Sequence, residues 1–303
     1  MEYNKLKVKK AKGKDTIYTY LKQIGMSENY VKNLRKKEGY ILLNSKVAHT
    51  DFKITTGDIL ELCKNPKTTT SIMQCIIPLD IVYEDDDILV INKPSGLATT
   101  PSRSHYAENL SGAVLSYMSQ KTDNFVVRIV NRLDKETAGL VIVAKHSLIS
   151  KLLNENDYTK KTYYAICTGK IESPITINKN IATAKNELGY NQHKRIISEK
   201  GKPAITYVTP ISFDGENTLC KITLEHGRTH QIRVHLSSIG HALLGDKLYG
   251  TESNIISHTA LVCKEIELYH PILNNTIYLS CSFPTDFISA TILPKAYFDK
   301  NQT

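Results

Sequence analysis

Nine residues, Asn131-Arg132-Leu133-Asp134-Lys135-Glu136-Thr137-Ala138-Gly139, constrain this chain most, because they form a polar run held between two apolar ones, Phe125 to Val130 and Leu140 to Ala144. Val126, Val127, Ile129 and Val130 before the run and Val141, Ile142 and Val143 after it are β-branched. That composition predicts a pleated, at least half-buried strand on each side. The nonapeptide is then a loop fixed at the edge of a sheet, with the Asp134 carboxylate two residues from the Arg132 guanidinium. A polar loop on rigid strands is where chemistry is usually placed. Taken alone, the run is equally compatible with a surface hairpin whose Asp and Thr satisfy their own backbone.

A chain of 303 residues predicts one large domain and one small one. At 41% hydrophobic and 23% charged it has an ordinary globular composition, and no run approaches the ~18 apolar residues of a membrane span. The lysine-rich start lacks the apolar stretch of a secretory signal, so a cytoplasmic protein without a membrane partner is expected. Six scattered cysteines without a CxxC pair read as buried free thiols. The net charge of +9 is unevenly spread: residues 1–70 hold 15 Lys+Arg against 7 Asp+Glu, which leaves 24 against 23 for the rest. A small basic module joined to a nearly neutral larger one suggests a part that grips a polyanion and a part that acts on it. A merely solvated charged face is the commoner meaning of such a run.

In the basic part, Thr16 to Ile24 and Glu28 to Lys37 predict two short helices, the second with Ser27 as N-cap. Tyr30 and Leu34 share one face of the second, and Lys32, Arg35, Lys36 and Lys37 cover much of the remainder, a surface suited to phosphates. Tyr40 to Leu43 and Ile59 to Leu62 predict strands, with turns at Asn44-Ser45-Lys46 and Gly57-Asp58. This order over residues 14–63 resembles the S4 RNA-binding domain. Residues 64–78, with Pro66 and a Thr-rich run, read as a flexible linker. The expected division is therefore residues 1–63, an S4-like domain with a basic N-terminal tail, the linker 64–78, a catalytic domain at 79–295 and a C-terminal tail at 296–303.

Further along, Ile81 to Glu84 and Ile88 to Ile91 predict a hairpin around Asp85-Asp86-Asp87, closed by Asn92-Lys93-Pro94-Ser95-Gly96. Residues 106–119 and Ser147 to Asn156 predict helices, the latter with Leu148, Leu152 and Ile149, Leu153 at four-residue spacing. Lys161 to Cys167 predicts a strand whose Tyr163 and Tyr164 point to opposite faces, one buried and one toward a cleft; a core or rim tyrosine is the ordinary meaning of each. Ala204 to Phe213 and Leu219 to Leu224 predict a second hairpin. In Gly227-Arg228-Thr229-His230-Gln231-Ile232-Arg233, Thr229 is the expected cap of a helix with Arg233 at the edge of its buried face, and Arg228 at its start would suit a phosphate.

Asn92-Lys93-Pro94-Ser95-Gly96, Arg132-Leu133-Asp134 with Thr137 and Gly139, Lys161-Thr162-Tyr163, Gly201-Lys202-Pro203-Ala204, Gly227 to Arg233, and Gly245-Asp246 with Tyr249-Gly250 occur in this order. Together they resemble the RluA/RluD-type RNA pseudouridine synthases over about residues 80–290. The resemblance implies an α+β fold, a mixed and largely antiparallel sheet with flanking helices. It implies cofactor-free isomerisation without a metal: a uridine in structured RNA is flipped out, its glycosidic bond is cleaved, and the uracil rejoins through C5. On that resemblance Asp134, Tyr163 and Arg233 are the catalytic residues. Asp134 acts on the ribose as nucleophile or base, Arg233 pairs with it, and Tyr163 stacks on the uracil and is a candidate to move the proton at C5. Arg132 helps extrude the uridine, and Asn131, Arg228, Lys32, Arg35 and Lys36 complete the expected RNA-binding set. Large-subunit ribosomal RNA is the implied substrate, transfer RNA the alternative, and no obligate protein partner is indicated.

The chain departs from the family pattern at Asn131, where His is common, at Ala138, where Ser is common, and at Thr100-Pro101, where many members have His-Pro. Altered support of the loop is expected at Asn131. Three other readings compete: a non-catalytic S4-type RNA-binding protein, a metal-dependent hydrolase built on His226, His230 and His235, and a glycosidase pair at Asp134 and Glu136. The histidines lack the HExxH spacing and a completing carboxylate, and two carboxylates two residues apart on a loop suit a glycosidase poorly.

Overall fold

Runs rich in Val and Ile set the strands, and turns at Gly, Asn and Asp separate them. The computed structural model describes residues 2–8, 11, 15–26, 28, 31, 39–64, 72–102, 105–122, 125–155, 157–185, 191–250 and 252–291. Near the N-terminus, β1 (Glu2–Lys7), β2 (Gly39–Leu43), β3 (Lys46–Ala48) and β4 (Ile59–Lys64) form a four-stranded antiparallel sheet in the order β1-β4-β2-β3. The lysine-rich start, expected as a tail, is thus a strand, because β4 offers it a free edge from Glu2↔Lys64 to Lys7↔Ile59. Helix α1 (Ile17–Gln23) begins at Thr16 in a reciprocal capping box with Thr19 and buries Ile17, Tyr20 and Leu21. The second helix expected there, with Lys32, Arg35 and Lys36, falls outside the described residues except for Glu28 and Val31, as does the linker from 65 to 71.

The larger sheet has nine strands in the order β5-β6-β7-β14-β8-β13-β12-β9, with β15 also paired to β14. β5 (Asp80–Glu84) and β6 (Ile88–Lys93) make the expected hairpin, closed by Asp85, whose carboxylate accepts hydrogen bonds from the N–H groups of Asp87 and Ile88 and from the Tyr83 hydroxyl. β7 (Ala138–Ala144) is buried at every position, lying between β6 and β14. β8 (Thr159–Thr168), β9 (Ile175–Asn178), β12 (Ile205–Phe213), β13 (Asn217–Glu225), β14 (Leu261–His270) and β15 (Asn275–Ser280) build the other half, and β10 (Ile181–Lys185) with β11 (Asn191–Ile197) forms a separate ribbon. Helices α2 (Leu110–Ser119), α3 (Ser147–Glu155), α4 (Gln231–Ser237) and α5 (Thr285–Ser289) flank the strands. The α+β architecture with a mixed, largely antiparallel sheet is the one expected. Among the described residues no helix is long and apolar enough to cross a membrane.

Two findings depart from expectation here. Phe125 to Val130 is not a regular strand. It makes one bridge, Ile129↔Val143, with Val130 N–H bonded to Ile142 O and Ala144 N–H to Arg128 O. β6 pairs with one edge of β7 throughout, and on the other edge β14 takes Ala138 and Gly139, the Asn131 side chain bonds Leu140 and Ile142, and residues 128–130 bond the far end. The second half of the expected linker is also not free: Cys75 N–H bonds Gly112 O and its thiol donates to Asn109 O, strapping it onto α2. Gly112 admits this strap because a Cβ there would collide with the Met73 carbonyl.

The two halves of the sheet meet along β7 and β14, parallel, through Val262↔Ala138 and Cys263↔Gly139 alone. The nonapeptide therefore ends on the seam. Gly139 has φ +112°, and a Cβ there would overlap the Cys263 backbone. We expect Gly139→Ala to destabilise the protein by about 2 kcal/mol or more, read as a lower urea midpoint, because both the conformation and the space exclude a side chain. An unchanged midpoint would show that the seam tolerates separation.

Candidate active site

The segment from Asn131 to Thr137 is irregular, and its shape comes from bonds to the stretch after β6. Thr99 Oγ1 donates to Leu133 O at 2.6 Å, Ser95 Oγ to Glu136 O at 2.7 Å, and Gly96 N–H to Lys135 O. Lys93, 0% exposed, donates through Nζ to Pro94 O, Leu97 O and Lys135 O at 2.8, 2.8 and 3.2 Å. Burial pushes this ammonium down to about 7, against the pull of Asp134 and Glu136. Thr137 N–H returns to Asp134 O and closes the turn. The loop is thus pinned at every second or third residue, which leaves the Asp134 side chain to point into a cavity.

Asn131 supports this loop. Its amide donates to Leu140 O at 3.1 Å and accepts from Ile142 N–H at 2.8 Å. It thereby completes the edge of β7 between the positions served by β14 and by residues 128–130. Both ends of the side chain are spent on backbone. The expectation of altered loop support at this position agrees with the geometry.

Asp134 meets Arg233 across the seam, Nη1 to Oδ2 at 3.4 Å. Arg233 is 6% exposed and is aimed by a second carboxylate: Nε donates to Asp246 Oδ2 at 2.7 Å and Nη2 to Asp246 Oδ1 at 2.8 Å. This two-pronged pairing consumes one side of the guanidinium and leaves Nη1 for Asp134. Burial opposes the charges, but the mutual bonds outweigh it, raising Arg233 above its ordinary pKa and holding Asp246 below its own. Asp246 also accepts the N–H groups of Leu248 and Tyr249 at 3.0 and 3.1 Å.

Thr229 does not cap α4. The N-cap is His230, left-handed at φ 57°, and no side chain caps it. The start of the helix is held by Gln231, whose Oε1 accepts Arg228 N–H and whose Nε2 donates to Ile205 O and Glu225 O. The unusual backbone at 230 brings the imidazole between Tyr249, at 2.9 Å from Nδ1 to the hydroxyl, and Asp134, at 3.8 Å from Nε2 to Oδ2. Burial lowers the His230 pKa despite the Asp134 charge, which favours the neutral ring at physiological pH. Tyr249 stacks edge-on against His230 and lies 5.2 Å from the Arg233 guanidinium carbon.

Tyr163 and Tyr164 are both 7% exposed, and they point to opposite faces, Tyr163 toward the cleft. Tyr164 packs edge-on against Phe283, while Tyr163 lines the cavity with Asp134 and Arg233. β14 covers Tyr163 at Cys263, and this burial raises its phenol pKa well above the ordinary value. A cavity of about 70 Å³, walled by Leu133, Asp134, Tyr163, Ile232 and Arg233, opens onto a cleft of about 1030 Å³. Tyr163, Leu224 and Gly227 border both. The cleft arises because β13 leaves β8 after Ile222↔Tyr163, the last register pair between them.

Arg132 is exposed at the mouth of the cavity, and Arg228 lines it with Nε donating to Pro203 O at 3.1 Å. Lys32, Arg35 and Lys36 lie outside the described residues. The histidines of the metal reading are dispersed to separate partners: His235 is buried between Thr206 and the Lys179 carbonyl, His226 is exposed, and His230 serves Tyr249. Among the described residues no cluster suits a metal ion. Asp246, His230 and Tyr249 are the site residues that the sequence reading quoted within motifs without assigning them to the site. The signal lay in the Gly245-Asp246 and Tyr249-Gly250 pairs.

Two predictions follow from these contacts. Asp246→Ala should cost about 3 kcal/mol in denaturant unfolding, because it leaves the buried Arg233 without its principal partner; a loss under ~1 kcal/mol would show that Asp134 or water replaces it. Lys93 binds a proton more readily unfolded than folded between about pH 7 and 10.5, so native stability should rise with pH in that window. The destabilisation caused by Lys93→Met should grow from pH 7 to pH 9, and a pH-independent difference would contradict the lowered pKa.

A family model described as RNA pseudouridylate synthase matches residues 87–238. The chain is 32% identical to the uncharacterized RNA pseudouridine synthase YhcT of Bacillus subtilis, over 81% of this chain and 82% of that one. It is 33% identical to the ribosomal large subunit pseudouridine synthase D of Buchnera aphidicola, over 86% of this chain and 88% of the relative. In fold it is similar to the solved structure of human RNA pseudouridylate synthase domain containing 1, with a TM-score of 0.55 at 23% identity, over 68% of this chain and 84% of that one. A polar loop pinned on a sheet seam, an Asp met by an Arg from the opposite half, and a buried Tyr beside them stand within or next to the matched segment, and the chain belongs to the RNA pseudouridylate synthase family.

Proposed function

We propose that the site isomerises uridine with Asp134 as the group acting on the ribose, and that its substrate is large-subunit ribosomal RNA. The convergence of Asp134, Arg233 and Tyr163 on one small cavity at the base of a long cleft carries this reading. A flipped uridine enters the cavity from the cleft, and Arg132, exposed at the mouth, fills the space left in the stack. Arg233 keeps the Asp134 carboxylate directed at the sugar, either as nucleophile or as base at C2′. Tyr163 offers its ring to the uracil, which needs a stacking surface once its bond to ribose is broken. Burial keeps the phenol protonated, so Tyr163 works as a neutral platform.

The N-terminal module reads as an S4-like RNA-binding domain, with the catalytic part beginning near residue 79. Its α1, its strand pairs and its basic composition support this. The relatives named as acting on the large ribosomal subunit support that substrate. Arg228 and the lysines of the N-terminal part are proposed to contact phosphates.

Ribosomal RNA transcribed with 5-tritiated uridine tests the reading. We expect the purified protein to release tritium, and Asp134→Asn to release none while its RNA affinity and melting temperature match the wild type. Release from transfer RNA alone would reassign the substrate. Full release by Asp134→Asn would remove Asp134 from the chemistry.

A further inference from the structure

Helix α3 faces two ways. Ile149 and Leu153 join the core of the large sheet, whereas Leu148 and Leu152, 1% and 0% exposed, join the core of the N-terminal sheet with Ile17, Tyr20 and Leu21. Neighbouring positions on a helix are about 100° apart, so two adjacent i, i+4 pairs make an apolar band wider than one surface requires. Tyr158, just beyond the helix, and Ile272, in the turn between β14 and β15, pack against both cores. Leu148, Leu152, Tyr158 and Ile272 thus form one apolar contact between the two cores.

The same helix borders the cleft. Leu153 and Asn154 at its C-terminal end line the cleft wall, followed by Asp157, Lys160 and Lys161 on the way to Tyr163. Lys161 Nζ donates to Thr159 Oγ1 at 3.1 Å, and burial lowers its pKa.

We propose that the N-terminal domain is seated on α3 and stays seated when RNA binds, so that RNA gripped by it is led along the cleft to Asp134 at a fixed span. Leu148 and Leu152 are then positioning residues, which set the distance between the gripped part of the RNA and the uridine that enters the cavity. This rests on the reading that both parts hold RNA, and it replaces the picture of a module on a loose tether. The strap of Cys75 over α2 ties the chain down ahead of β5.

A site-specific protease sequence placed within residues 65–71 of the full chain tests this, with an unmodified large-subunit ribosomal RNA transcript as the probe. After cutting, the two wild-type pieces should co-elute in gel filtration at micromolar concentration and bind the transcript within about threefold of the uncut chain. In Leu148→Asp/Leu152→Asp the cut pieces should separate, and affinity should fall at least ~10-fold. Separation of the wild-type pieces overturns the proposal, as does a cut double variant that binds as tightly as the cut wild type. A melting curve of the uncut variant checks its fold, and Leu148→Ser/Leu152→Ser gives the same readout should the aspartates prevent folding. Absence of tritium release with co-elution and affinity as expected would count against the catalytic assignment and leave the seating intact.

Discussion

The two-pronged pairing of Arg233 with Asp246 is the interaction on which the site depends. Arg233 stands on a seven-residue helix whose N-cap is left-handed and has no side-chain cap, so the helix alone would not aim a long flexible side chain. Asp246 does so by engaging Nε and Nη2 and leaving Nη1 directed toward Asp134. A guanidinium is suited to this because its donors lie in one plane at fixed angles; an ammonium would be held as a point charge without direction. Asp246 is in turn fixed by two backbone N–H groups, so the aim of Arg233 is set by main chain on both sides.

The opposite partner is held by a different device. Asp134 belongs to a loop with no regular structure, and the loop keeps its shape because a buried ammonium, Lys93, gathers three carbonyls, one of them from the loop itself. Loop and helix come from different halves of one sheet, joined through two register pairs at Ala138 and Gly139. Placing the site at this seam gives it reacting groups from both halves, and the parting of β8 from β13 opens the cleft that leads to it. Rigid placement of the carboxylate and its partner lets positioning and electrostatics contribute to the rate.

Regular elements were legible where one local signal ruled. The hairpin of β5 and β6, the strand through Tyr163 and the helix at Ser147–Glu155 each carry a clear period or turn signature, and each lies within a residue or two of its expected place. Misreadings arose where an edge was already taken or offered. Phe125 to Val130 has strand composition, but β14 and the Asn131 side chain take the start of the edge it faces, so it makes one bridge. The first residues look like a solvated basic tail, but β4 presents a free edge and they become β1. Asn131, expected to alter the support of the loop, is a side chain standing in for a missing strand neighbour.

By itself the sequence determined the family and the α+β class and singled out Asp134, Tyr163 and Arg233, which the fold brings to one cavity, because residue types at ordered spacings record what a reaction needs. Tertiary structure decided what aims them: Asp246 behind Arg233 and Lys93 beneath the loop. These are contacts between residues far apart in the chain, and their strength comes from burial, which removes competing water. No local pattern of residue types reports that removal.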